Sequence, residues 1–178
     1  VFGFPEDILF LGKGTVFGII PVPVILMIIV FILGILFLQK TRFGTYIYGI
    51  GGNEEASRLS GINTKRIKYI CYGVCSALAA LAGVVLLARV NSGQPKSGDG
   101  YEMDVITACV LGGVSISGGE GKLSFVIFGV LLMGVLSNGL IMINVSDYWQ
   151  QAISGLVLIA AVAFDRLMQH LKAKQLQS

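Results

Sequence analysis

The sequence predicts an all-α fold: a polytopic membrane helix bundle of about five transmembrane segments, one of them short and interrupted by glycine. Three observations carry that expectation. Hydrophobic residues make up 54% of the 178 and charged residues only 13%, where a soluble domain carries roughly a quarter charged. The mean hydropathy is +0.81. The charges are also gathered together, leaving runs without Asp, Glu, Lys or Arg at 14–39, 69–88, 105–119, 123–146 and 148–164. A hydrocarbon core about 30 Å thick takes about 20 apolar residues per helix, so several of these runs can cross it.

Taken in order, residues 16–38 form the clearest span, with Pro21 and Pro23 near its start, where proline costs a helix least. Residues 39–68 are polar and hold Lys40, Arg42, Arg58, Lys65, Arg66 and Lys68, which assigns this loop to the cytoplasm by the positive-inside rule. Residues 69–88 return outward, with Ala79, Ala80, Ala82 and Gly83 suited to close helix packing in lipid. An outside loop, 89–104, holds Arg89, Lys96, Asp99, Glu102 and Asp104. Residues 105–119 are short for a span and hold Gly112, Gly113, Gly118 and Gly119 with Ser115 and Ser117. Broken backbone of this kind is tolerated at membrane depth only where protein or a watery cavity covers it, so the segment is expected inside the bundle. Residues 123–145 cross again, a turn at 146–149 brings Tyr148 and Trp149 to an interface, and the last span ends near Phe164. Residues 165–178, with Asp165, Arg166, Lys172 and Lys174, form a cytoplasmic tail. Ten Lys and Arg fall inside on this assignment, against Lys13, Arg89 and Lys96 outside, giving five crossings and an outside N-terminus. The opening Val1-Phe2-Gly3-Phe4-Pro5-Glu6 has neither an initiator Met nor a basic stretch before an apolar core, so no signal peptide is expected and the chain is expected to begin partway through a longer protein.

A net charge of +3, sorted by membrane side, argues against a nucleic-acid partner. Cys71, Cys75 and Cys109 lie in apolar runs with no disulfide or metal-site spacing. Intramembrane catalysis needs a nucleophile with a base, or metal ligands, at depth. The single histidine, His170, is in the tail, Ser115 has no His partner, and Gly118-Gly119-Glu120-Gly121-Lys122 lacks the spacing and the hydroxyl of a phosphate loop. No catalytic residue, metal or cofactor is expected, and any nucleotide hydrolysis belongs to another chain.

The most informative polar segment is Gly51-Gly52-Asn53-Glu54-Glu55-Ala56-Ser57-Arg58-Leu59-Ser60-Gly61-Ile62, which reads as a short capped helix. Asn53 can accept from backbone N–H groups at its start, Glu54 and Glu55 complement its positive end, and Gly61 can take the left-handed conformation that stops it. A helix this short is marginal alone, so the rest of the loop or a partner protein should hold it.

Within that helix, Glu55-Ala56-Ser57-Arg58-Leu59-Ser60-Gly61 resembles the Glu-Ala-Ala-x-x-x-Gly loop of ABC importer permeases, with Ser57 in place of the second Ala. Arg42-Phe43-Gly44-Thr45-Tyr46, Gly51-Gly52-Asn53-Glu54 and Leu59-Ser60-Gly61-Ile62 look like the ribose and xylose type permeases of the carbohydrate-uptake branch. Gly100-Tyr101-Glu102-Met103-Asp104-Val105-Ile106 and the run 110–121 are similar to that family's downstream signature, with Met103 and Val105 where Leu and Ala are usual. Ser137-Asn138-Gly139-Leu140, Trp149-Gln150-Gln151 and Asp165-Arg166-Leu167 are similar to its closing helices. The resemblance covers nearly the whole chain, although the family usually has about ten crossings and these match its C-terminal five.

The resemblance implies one permease domain over 1–178, in which the cytoplasmic loop 39–68 couples to ATPases through Asn53, Glu54, Glu55, Ala56, Ser57, Arg58, Leu59 and Gly61. It implies a bacterial inner-membrane subunit importing a monosaccharide, with two cytoplasmic ATP-binding subunits, a periplasmic sugar-binding protein and a second permease, identical or different. The spans hold no charged residue for an ion relay. Ser115, Ser117, Ser137, Asn138 and Asn144 are left as neutral partners for a hydroxyl-rich solute, each equally able to serve as packing glue between helices. The 134/138 face of its span is expected to point into the bundle. Two other readings stay open: a membrane scaffold or sensor with no solute path, against which the broken segment 105–119 argues, and a permease for a sugar-like signal molecule.

Overall fold

A computed structural model describes residues 6–16, 18–93 and 98–175. Lys96 and the opening residues 1–5 lie outside the described residues, as do the side chains of His170, Lys172 and Lys174. Among the described residues the fold is all-α apart from one hairpin of two two-residue strands. Four helices among the described residues are long and apolar enough to cross a membrane, and the protein is a multi-pass membrane protein. The chain divides into two compact units, one taking the residues up to Ile47 with Glu54–Gly98, the other Tyr48–Asn53 with the residues from Asp99 onward.

In the first unit a short helix, α1 (Glu6–Lys13), lies against the end of α5 (Thr64–Val90). A Cβ on Gly12 would run into the backbone of Ala88 and Arg89, and Ala88 is fully buried there. The antiparallel hairpin β1 (Thr15–Val16) and β2 (Ile20–Pro21) leads into α2 (Val22–Lys40), with Pro21 at the N-cap and Pro23 in the first turn, where a missing N–H costs nothing. Thr41 ends α2 in an extended conformation and turns the chain: its hydroxyl donates to the Phe37 carbonyl at 2.6 Å and accepts from the Gly44 N–H at 3.4 Å. Phe37 and Phe43 stack across this corner, 5.9 Å between ring centres. The helix that follows, α3 (Arg42–Gly52), occupies part of what the sequence presents as loop. α2 has no buried residue, and α5 shows exposed side chains from Tyr72 to Val84, the surface expected of helices solvated by lipid or further protein.

In the second unit α6 (Tyr101–Leu111) packs against α7 (Leu123–Met142) and α8 (Asp147–Gln175). Lipid supplies no hydrophobic drive between helices, so close backbone approach has to hold them together. A Cβ on Gly129 would strike the Ala108 carbonyl, and one on Gly112 would strike Val126. Val126, Gly129 and Met133, spaced i, i+3, i+7, are the buried stripe of α7. Thr107, fully buried on α6, satisfies its hydroxyl by donating to the Met103 carbonyl at 2.7 Å. The broken segment is therefore α6, about 16 Å long at 1.5 Å per residue, followed by a glycine-rich turn. Tyr148 and Trp149 are exposed at the start of α8, and α8 continues beyond Phe164 to Gln175.

Candidate functional site

The expected capped helix over 51–62 divides in two. Gly51 and Gly52 end α3, Asn53 alone links it to α4 (Glu54–Leu59), and Gly61 closes α4 at φ 85°. Two hydrogen bonds make that closure: the Ile62 N–H to the Ser57 carbonyl at 3.1 Å, and the Gly61 N–H to the Arg58 carbonyl at 3.0 Å. This pair is the Schellman arrangement, which needs a left-handed residue at Gly61.

α4 is held from outside, as its length demands. The Lys68 ammonium on α5 donates to the Glu54 carboxylate at 2.6 Å, and this bond keeps the Glu54 carboxyl below its usual value, with smaller help from Thr64 and Arg58. In the sequence Lys68 stands out only as a topological charge, and the signal for its role is its place on the first turns of the helix that follows an acidic pair. Asn63 caps α5 by accepting from the Arg66 N–H at 3.1 Å. Ser57 is buried, while Glu55, Arg58 and Leu59 are exposed, and Arg58 pairs with Glu55 at 3.5 Å. Leu59 is 81% exposed, an apolar side chain offered outward beside a compensated charge pair.

The residues expected along a solute path are dispersed. Ser115 is buried in the turn after α6, where its hydroxyl accepts from the Ser117 N–H at 3.3 Å and its own N–H donates to the Glu120 carbonyl at 3.0 Å. Ser117 is exposed. On α7, Ser137 is half-buried, whereas Gly134 and Asn138 are exposed on a different face from the buried stripe. Asn144 has a plainer duty, ending α7 at φ 57° with the Val145 N–H bonded to the Leu140 carbonyl and its own N–H to Ile141.

The turn after α6 meets the end of α3 in an arrangement that the sequence did not single out. Gly118, at φ 88°, and Gly119, at φ 76°, lie so close to Gly51 and Gly52 that a Cβ on Gly118 would sit 2.7 Å from the Gly51 carbonyl oxygen. One on Gly119 would sit 2.7 Å from the Gly52 backbone. The Tyr48 hydroxyl donates to the Gly121 carbonyl at 2.9 Å beside this contact. The sequence signal was two Gly-Gly pairs, each next to an acidic residue within three positions.

The family described as branched-chain amino acid transport system / permease component matches residues 1–162. The chain is similar to the Ribose import permease protein RbsC of Escherichia coli (strain K12), 47% identical over 158 residues, which is 89% of this chain and 49% of that protein. It is 45% identical over 155 residues to the Ribose import permease protein RbsC of Bacillus subtilis (strain 168), covering 87% and 48%. To the L-arabinose transport system permease protein AraH of Escherichia coli (strain K12) it is 44% identical over 167 residues, covering 94% and 51%. The chain thus spans about half the length of the curated relatives it matches. No solved structure matches it.

Proposed function

The chain belongs to the branched-chain amino acid transport system / permease component family, and from that premise we propose that it is a membrane-spanning part of an ATP-binding-cassette importer carrying a monosaccharide across the bacterial inner membrane. ATP hydrolysis takes place on separate cytoplasmic subunits, which dock on α4. A periplasmic sugar-binding protein delivers the solute, and a second permease completes the path.

The observation that carries this reading is α4 itself: a helix of under two turns, closed by its own Schellman bonds, held at Glu54 by Lys68, and presenting Glu55, Arg58 and Leu59 outward. Such a helix is too short to persist for its own sake, and its exposed face joins charge with a bare leucine in the way a protein partner would use. A sugar is favoured over an amino acid by the ribose and arabinose permeases among the relatives.

The family description keeps a branched-chain amino acid as the specific rival. Uptake into proteoliposomes holding the full permease, its ATPase and its binding protein decides between them. Ribose, arabinose or xylose should accumulate only with internal ATP, and leucine should not. Accumulation of leucine alone would reverse the assignment, and failure of the ATPase to co-purify would remove the importer reading.

A further inference from the structure

The second unit contains a junction that the importer reading does not use. α3 reaches α4 through one residue, Asn53, so a displacement of α4 is delivered to the last turn of α3 with almost no slack. That last turn does not rest on side chains. Gly51 and Gly52 touch Gly118 and Gly119 backbone against backbone, since a Cβ on Gly51 would overlap the Gly119 nitrogen, and the Tyr48 hydroxyl bonds the Gly121 carbonyl at 2.9 Å.

Side chains yield by changing rotamer, whereas backbones in direct contact have nothing between them to yield. The turn is tied internally as well: the Gly118 N–H donates to the Ser115 carbonyl at 3.1 Å, and the Ser115 N–H to the Glu120 carbonyl at 3.0 Å. It continues directly into α6 on one side and α7 on the other, and those helices are themselves locked at Gly112 and Gly129. By contrast, the Lys68–Glu54 pair that ties α4 to α5 joins two long side chains, each about half exposed (47% and 48%). The backbone contact is stiff, and the ion pair is compliant.

We infer that the Gly51–Gly52 contact with Gly118–Gly119, fixed by the Tyr48 bond to Gly121, is the joint through which movement of α4 drives α6 and α7, with Tyr48 and Gly51 as positioning residues. The inference rests on the importer reading for its source of movement. It assigns the Gly-rich turn a mechanical duty at the end of α3.

The test uses the full-length permease with its ATPase and binding protein, all native cysteines replaced, and a reporter thiol at Ile116→Cys, an exposed position in the turn. With Tyr48 and Gly51 intact, reactivity of the reporter should change when ATP is trapped on the ATPase. Gly51→Ala should keep ATPase co-purification but lose that change together with uptake, and Tyr48→Phe, which deletes only the donor, should lose part of both. A Gly51→Ala protein with a full ATP-dependent change overturns the joint while leaving the importer reading intact. Loss of co-purification in Gly51→Ala overturns it too, by making the glycine part of the docking surface. Should Gly51→Ala fail to accumulate, Tyr48→Phe decides alone, and an unaltered response there overturns the inference. Absence of both ATPase binding and reporter response in the parent protein overturns the importer reading and the joint together.

Discussion

At Gly61 one missing side chain determines where α4 stops. Its φ of 85° lies in the left-handed region, and its N–H and that of Ile62 close the helix only from there. Holding a residue with a Cβ in that conformation costs about 1–2 kcal/mol, more for a β-branched one. Gly61→Val should therefore reduce both ATPase co-purification and uptake with membrane insertion unchanged, whereas Gly61→Asn, which tolerates the left-handed region, should retain most of both. At the other end of α4 the expected effect depends on pH. The Lys68 bond lowers the Glu54 carboxyl, so the pair contributes above the ordinary glutamate value and its contribution disappears as pH falls through the lowered one. Both side chains are half exposed, which keeps the contribution small and open to screening by salt. Glu54→Gln at neutral pH should then mimic the acid form, raising hydrogen exchange in α4 modestly and abolishing its salt dependence; a Glu54 resonance titrating at the ordinary value would contradict the pairing.

Among the elements, α6 and α7 are joined at points where nothing larger than glycine fits. Gly129 and Gly134 make a clean comparison on one helix, because a Cβ at the first strikes Ala108 and one at the second meets nothing within 4 Å. Overpacking typically costs about 1–3 kcal/mol, so Gly129→Val should lower the thermal stability of the purified protein, while Gly134→Val should leave it close to the parent. Equal effects would mean that the two helices do not meet as described. The long spans were readable because their charge-free runs match the thickness of a bilayer, and α4 because Asn53, the acidic pair and Gly61 punctuate it. α3 was not readable as a helix, since glycine, threonine and tyrosine dominate it and Lys40 and Arg42 stand at its start; Phe43, Ile47 and Ile50 carry a helical spacing, and the Thr41 and Phe37 corner supplies what propensity does not. α1 depends on the distant end of α5 for its packing, which no local pattern announces. The polar residues expected along a path differ for a similar reason: the Ser115 hydroxyl accepts a bond within its turn, Asn144 takes the left-handed position that ends α7, and Asn138 lies off the buried stripe of that helix.

For the whole molecule the expected orientation rests on the distribution of Lys and Arg, and it is open to direct measurement. Cysteines introduced singly at Asn53 and Asp99 in a background without native thiols should differ towards an impermeant reagent applied to intact spheroplasts, with position 99 labelled and position 53 protected. The reverse pattern would turn the assignment inside out. The single-residue link at Asn53 has a consequence for how such a protein can vary. Asn53 is the whole of the link, so inserting one residue beside it would double the connection between α3 and α4 without altering the composition of either helix. Long outer loops can gain or lose residues at little cost, but here a single residue sets the slack. A chimera that grafts α4 from another permease should work only when the graft keeps this count, however well its side chains match.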